Sequence, residues 1–88
     1  MKVEFKKSFL KDLQHIQNQK LKNSILEVIQ EVEQATQLSE IKNLKRLKGF
    51  SRYYRIRIGN YRIGLEVSNN IIVFVVFSNR RDIYRIFP

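Results

Sequence analysis

Cysteine is absent from this 88-residue chain, and histidine and proline occur once each. Without cysteine no disulfide or thiolate metal site can form, and a reducing cytoplasm is the expected setting. One histidine and a few scattered carboxylates leave no set of metal-ligand spacing in the basic half, so neither metal nor cofactor is expected. No apolar run approaches the ~20 residues of a membrane span, and the amino-terminus does not read as a secretory signal. A cytoplasmic protein without a membrane partner is the expectation. Acidic residues are scarce in one half only. Residues 1–40 balance six basic side chains with six acidic ones, whereas residues 41–88 hold eleven basic and two acidic, Glu66 and Asp82. The whole net charge of +9 therefore lies in the second half, together with all four tyrosines. Cations interleaved with aromatics suit nucleic acid, because cations meet phosphates and rings stack on bases. The length allows one domain, residues 1–88, with a single core.

The densest part of that half is Arg52 to Arg62, Arg-Tyr-Tyr-Arg-Ile-Arg-Ile-Gly-Asn-Tyr-Arg. Alternating residues around Gly59-Asn60 predict a hairpin, since both residues tolerate the positive φ of tight turns. Pairing across that turn sets Ile58 against Tyr61, Arg57 against Arg62, Ile56 against Ile63, Arg55 against Gly64 and Tyr53 against Glu66. Two arginines then face each other on one side of the sheet, with Arg55 two residues along. Opposed like charges destabilise a sheet, so the cluster points to an anion that completes it.

The remainder reads as scaffold. Lys2 to Phe5 is a short strand with Val3 and Phe5 inward. Ser8 is the expected N-cap of a first helix carrying Phe9, Leu10, Leu13 and Ile16 at helical spacing. Asn18-Gln19 ends it, and Leu21, Ile25, Val28, Ile29 and Val32 mark a second helix closing near Ala35. His15 is expected as a partly exposed helix residue rather than a catalytic base. Residues 36–41 form a loop. Lys42 to Gly49 is read as one helical turn that packs Leu44 and Leu47 and turns Lys45, Arg46 and Lys48 outward; such a charge run suits phosphate contact or plain solvation equally. Ser68-Asn69-Asn70 is the next turn. Ile71 to Phe77, seven apolar residues, reads as a central strand buried on both faces. Ile83 to Phe87 is a short strand or turn. The fold class is α+β, in the order β-α-α-β-β-β. Two amino-terminal helices pack on one face of a mainly antiparallel twisted sheet, leaving the arginine face open.

Three stretches carry a family resemblance when taken together: Leu47-Lys48-Gly49, Tyr54 to Arg62, and Asn79-Arg80-Arg81-Asp82-Ile83-Tyr84-Arg85. Over nearly its whole length the chain resembles the RelE/ParE superfamily of type II toxins, and within it the RelE branch, whose members cleave messenger RNA in the ribosomal A site. The resemblance implies that Arg55 and Arg57 match two basic residues before the turn, Arg62 the arginine opening the next strand, Arg80 the arginine after the central strand, and Tyr84 the tyrosine near the carboxyl end. It also implies an acidic cognate antitoxin and the ribosome with its mRNA as partners. Ser78-Asn79 stand where many relatives have Gly-His, so a histidine contribution is missing.

On this reading RNA is cut by its own 2′-hydroxyl. Arg57, Arg62 and Arg80 hold the scissile phosphate and stabilise the phosphorane. Arg55, Lys45, Lys48 and Arg81 hold neighbouring RNA. Tyr84 donates a proton or stacks on a base; a tyrosine pKa of about 10 suits an acid and not a base. Arginine stays protonated below pH of about 12, so Arg55 and Arg57 cannot act as base; Lys45 or Lys48 serves as one only if surrounding cations lower its pKa, and the general base is left unidentified. Two other readings stay open: a non-catalytic ParE-like inhibitor of DNA gyrase, and a plain RNA-binding module whose cations need only form a spread patch.

Overall fold

The computed structural model describes every residue, Met1–Pro88. Strand β1 (Lys2–Phe5) leads into helices α1 (Lys7–Gln14) and α2 (Gln19–Gln34), then a 3-10 turn at Leu38–Glu40. Strands β2 (Leu44–Arg46), β3 (Tyr53–Ile58), β4 (Tyr61–Ser68) and β5 (Ile71–Asn79) follow, and a one-turn helix α3 (Ile83–Ile86) ends the chain. The strands form one sheet in the order β1-β5-β4-β3-β2, antiparallel except where β1 runs parallel to β5. The α+β class and the helix-covered sheet are as expected; β2 and α3 are additions to the predicted order. No helix is long and apolar enough to cross a membrane.

The helix-covered face holds the main core. Phe9, Ile25 and Val32 from the helices close on Ile56, Ile63, Leu65, Ile72 and Phe74 of the sheet, all nearly inaccessible to water. Their alternation along the strands is what a half-buried sheet requires. The opposite face is not fully open. Leu47, Ile83 and Phe87 form a second, smaller buried cluster there, flanked by Tyr53, Val75 and Val76.

The apolar run of β5 hides a bulge. Gly64 pairs with Val76 but Leu65 pairs with Phe74, so Val75 is an extra residue. An unpaired residue of this kind leaves backbone groups without ladder partners. Helix α1 supplies them. The Ser8 hydroxyl donates to the Val75 carbonyl, and the Asp12 carboxylate accepts from the Phe77 N–H at 2.9 Å. This corrects the reading of Ser8 as an N-cap: Lys6 occupies that position, and the Ser8 side chain is committed to the bulge. Asn18 is likewise not the end of the first helix. Helix α1 stops at Gln14 with His15 as its exposed C-cap, and Asn18 caps α2 by accepting from the Leu21 N–H at 3.1 Å.

The stretch expected as a helical turn is the edge strand β2. Leu44 pairs with Ile56 on the helix-covered face, whereas Leu47 joins the small cluster on the other face. Residues three apart lie on opposite faces of a strand, and here each face has a core to receive one leucine.

Gly64 is the seat of the carboxyl-terminal tail. A Cβ placed on it would lie 2.8 Å from the Phe87 ring. Gly64→Ala is therefore expected to lower stability by about 1–3 kcal/mol, the usual cost of overpacking. Urea titration checks this, and an unchanged midpoint would mean that the tail does not rest on this glycine.

Candidate functional site

The hairpin delivers the cations in the register read from the sequence. Ile58 pairs with Tyr61, Arg57 with Arg62, Ile56 with Ile63 and Arg55 with Gly64. Of the turn residues only Gly59 takes a positive φ, +54°. Strand β2 adds Lys45 directly beside Arg55. The face thus carries two rows across the sheet, Lys45–Arg55–Gly64–Val76 and Arg57–Arg62–Ser78. Arg46 pairs with Tyr54 and so belongs to the opposite side of the edge strand.

Arg62 sits at the centre. It is half-buried, and its Nη1 donates to the Gly59 and Tyr61 carbonyls at 3.0 and 2.9 Å. These bonds fold the guanidinium back over the hairpin turn. Its pKa is held below the ordinary arginine value, first by burial and then by the positive charge of Arg55, with Arg57 and Arg80 adding to it; Tyr84 acts in the opposite sense. Arg55, Arg57, Arg80 and Tyr84 all lie within electrostatic reach of one guanidinium. Residues from β3, β4, the segment after β5, and α3 thus share one electrostatic neighbourhood.

The neighbours of that centre form two depressions. One, of about 260 Å³, is lined by Lys45, Arg46, Leu47, Lys48, Arg55 and Tyr84. The other, of about 300 Å³, is lined by Asn60, Asn79, Arg80 and Arg81. Arg80 is fixed at the hairpin turn by its own backbone, whose N–H donates to the Asn60 carbonyl at 2.9 Å.

The acidic residues of this half do not neutralise the cluster. Glu66 pairs with Arg52 at 3.2 Å and Asp82 pairs with Arg85, and these are the only salt bridges in the molecule. Arg55, Arg57, Arg62 and Arg80 are left without an acidic partner. Arg55 instead donates to the Asn43 carbonyl at 2.9 Å, which also receives the Arg57 N–H at 3.2 Å. No group of three or more His, Cys, Asp or Glu side chains is placed to hold a metal ion.

Several supporting residues escaped sequence reasoning. Asn43 adopts φ +62°, and its carbonyl is the one that holds Arg55. Asn79 ties the turn between Arg80 and Tyr84: its Oδ1 accepts from the Arg81 and Asp82 N–H groups and its Nδ2 donates to Asp82, each at 2.9 Å. The Asp82 carboxyl is held below its usual pKa, first by that Asn79 bond and then by Arg85. The signal was present, since an asparagine side chain bonding backbone two residues on is a known turn former.

Residues 3–84 match the family described as the ParE toxin of the type II toxin-antitoxin system, parDE. Toxin RelE3 of Methanocaldococcus jannaschii is 43% identical over 88 residues, the full length of both chains. The toxin in the RelB-RelE antitoxin-toxin complex from Methanococcus jannaschii superposes with a TM-score of 0.79 at 40% identity, covering 97% of this chain and 99% of that one. An archaeal RelE-RelB complex from Pyrococcus horikoshii gives a TM-score of 0.73 at 24% identity, covering 90% and 93%, which supports the fold alone. The chain belongs to the RelE/ParE superfamily, the toxins of type II toxin-antitoxin systems.

Proposed function

We propose that this toxin is a ribosome-dependent, metal-independent mRNA endonuclease that cleaves by attack of the RNA's own 2′-hydroxyl. The observation that carries the reading is the unneutralised set Arg55, Arg57 and Arg62 on one sheet face, with the Arg80 backbone held at the adjoining hairpin turn, while both nearby carboxylates are paired elsewhere. In this scheme Arg57, Arg62 and Arg80 contact the non-bridging oxygens of the scissile phosphate. They stabilise the charge that grows on the phosphorane, which is often the largest catalytic contribution. Arg55, Lys45 and Lys48 hold an adjacent phosphate, and Arg81 extends the contact on the far side. Tyr84, exposed on α3, gives its proton to the departing 5′-oxygen.

The partner follows from the same charge. An acidic antitoxin covers the basic face and blocks access of RNA, in keeping with a relative whose structure is an antitoxin-toxin complex. All of these encounters take place in the cytoplasm.

The arginines at the site stay protonated and cannot take the 2′-hydroxyl proton, which leaves the general base unassigned. The toxin therefore relies on a substrate already held in an attack-ready shape, and the decoding site of the ribosome provides it. Such positioning contributes on the order of 7–11 kcal/mol. Induction in cells lacking the neighbouring antitoxin frame is expected to arrest growth and cut transcripts within codons. Purified toxin should cut naked RNA at least ~10³-fold more slowly than translated RNA, a modest part of that contribution. Equal rates would remove the ribosome from the mechanism. The ParE family match favours one other reading, a non-catalytic inhibitor of DNA gyrase. Under it, transcript ends stay unchanged on induction while gyrase activity falls.

A further inference from the structure

Strand β5 changes face partway along. Ile72 and Phe74 point into the main core, and so does Phe77. A regular strand alternates, and on that pattern Val76 and Ser78 would follow Phe74 inward. The bulge at Val75 reverses the order. Val76 turns to the small cluster on the other face, Phe77 returns to the core, and Ser78 stands opposite Arg62 on the cationic face. The strand ends with Asn79 opposite Tyr61, and the Arg80 N–H then meets the Asn60 carbonyl at 2.9 Å. Paired without the bulge, the same residues would set Phe77 against Arg62 and Ser78 against Tyr61. Arg80 would then lie one residue beyond the hairpin turn, because a slip of one residue moves every later side chain to the other face.

The bulge is held from the far side of the sheet. Ser8 of α1 donates to the Val75 carbonyl, and the half-buried Asp12 accepts from the Phe77 N–H at 2.9 Å. Asp12 is the one acidic residue of α1 and lies in its last turn, where the helix dipole disfavours negative charge. A residue that breaks a local rule of this kind signals a task set elsewhere in the fold. Here the task is visible, since the carboxylate satisfies a backbone donor that the bulge removes from the ladder.

We propose that Asp12 is a positioning residue for Arg80: its bond to the Phe77 N–H holds the bulge, and the bulge sets the register that brings Arg80 to the hairpin turn. The inference rests on the RNA-cleaving reading above, in which Arg80 contacts the scissile phosphate. Asp12 lies on the helix side of the sheet, opposite the cationic face, so it acts through β5 and not on the RNA.

The test combines single-turnover cleavage of translated RNA on ribosomes with amide hydrogen exchange of the intact toxin by NMR. Asp12→Leu keeps the side-chain size and removes the acceptor. It is expected to lower the cleavage rate constant about 10²-fold, the consequence of displacing a group by about 1 Å, while the toxin concentration giving half-maximal rate stays the same. The Arg80 amide should exchange roughly 10-fold faster, the size of one lost hydrogen bond to a charged group, while the amides of β3 keep their protection. Asp12→Asn should restore both, because its amide oxygen accepts the same N–H. In an Arg80→Ala background Asp12→Leu should cost nothing further. A loss that multiplies with that of Arg80→Ala would mean a general structural role and overturns the proposal. Unchanged exchange at Arg80 overturns it as well, whether or not the toxin cuts RNA. A toxin that leaves translated RNA intact, while Asp12→Leu still loosens the Arg80 amide, overturns the nuclease reading and leaves the link from α1 to Arg80 standing. Should Asp12→Leu fail to fold, Ser8→Ala removes the second, exposed anchor and is read by the same two measurements.

Discussion

Arg62→Ala is expected to lower cleavage on translating ribosomes by about 10²–10³-fold, the range for losing one preorganised donor to a developing oxyanion, and to abolish growth arrest. Stability should change by less than about 1 kcal/mol, because two effects oppose each other. The variant loses two exposed hydrogen bonds to the Gly59 and Tyr61 carbonyls, each a net contribution of about 0.5–1.5 kcal/mol at most. It also relieves the burial of a charge and its repulsion with Arg55, Arg57 and Arg80. Arg57→Ala provides the contrast. Arg57 is exposed and directly opposite Arg62, so its removal should leave stability equal or higher while activity falls. Arg62→Lys keeps the charge but loses the planar fork, and its activity should lie between the two. Growth on induction, cleavage assays and urea titration together decide the matter. An Arg62→Ala protein that is folded and fully toxic would take Arg62 out of the site.

The register around Arg62 was legible because three local signals agree there. The Gly59-Asn60 turn, the alternation of β3 and that of β4 each specify the same pairing, and consistency of this kind is what fixes a structure. Where one signal stood alone, the reading failed. The run Ile71 to Phe77 has no alternation, so nothing in it marks Val75 as the residue of a bulge. Only the finished sheet shows why Ser8 and Asp12 are needed at that edge. The strand β2 has three residues and α3 one turn. Elements so short draw their stability from tertiary packing rather than from propensity. Leu44 and Leu47 serve two different cores, a pattern that mimics a helical spacing. At the site, the opposition of Arg57 and Arg62 could be read from spacing. The approach of Arg80 and Tyr84 could not, because it depends on the Asn79 turn and on Phe87 resting over Gly64. The resemblance supplied those two residues, and the fold brings them near Arg62.

Cleavage products offer the sharpest discrimination among mechanisms. The site offers guanidinium groups and a phenol, with no cysteine and no His, Asp or Glu set placed to hold a metal ion. Neither a metal-activated water nor an activated protein nucleophile is therefore well supplied. The nucleophile that remains is the 2′-hydroxyl adjacent to the scissile phosphate. In the proposed step the 2′-hydroxyl gives up its proton to solvent as its oxygen attacks phosphorus, the bond from phosphorus to the 5′-oxygen breaks, and that oxygen takes a proton from Tyr84. The upstream fragment must then end in a 2′,3′-cyclic phosphate and the downstream fragment must begin with a 5′-hydroxyl. Replacing the single target ribose by its 2′-deoxy form should reduce cleavage on the ribosome to background, a loss of at least ~10⁴-fold, since the nucleophile itself is removed and positioning has nothing left to act on. Binding of the toxin to the ribosome should persist, because the arginines meet phosphates and not that hydroxyl. Mass spectrometry of the fragment ends reads the outcome directly. A 5′-phosphate on the downstream piece would mean that water attacked and the 3′-oxygen left. The roles given to Arg57, Arg62, Arg80 and Tyr84 would then have to be abandoned, even for a protein that cuts RNA.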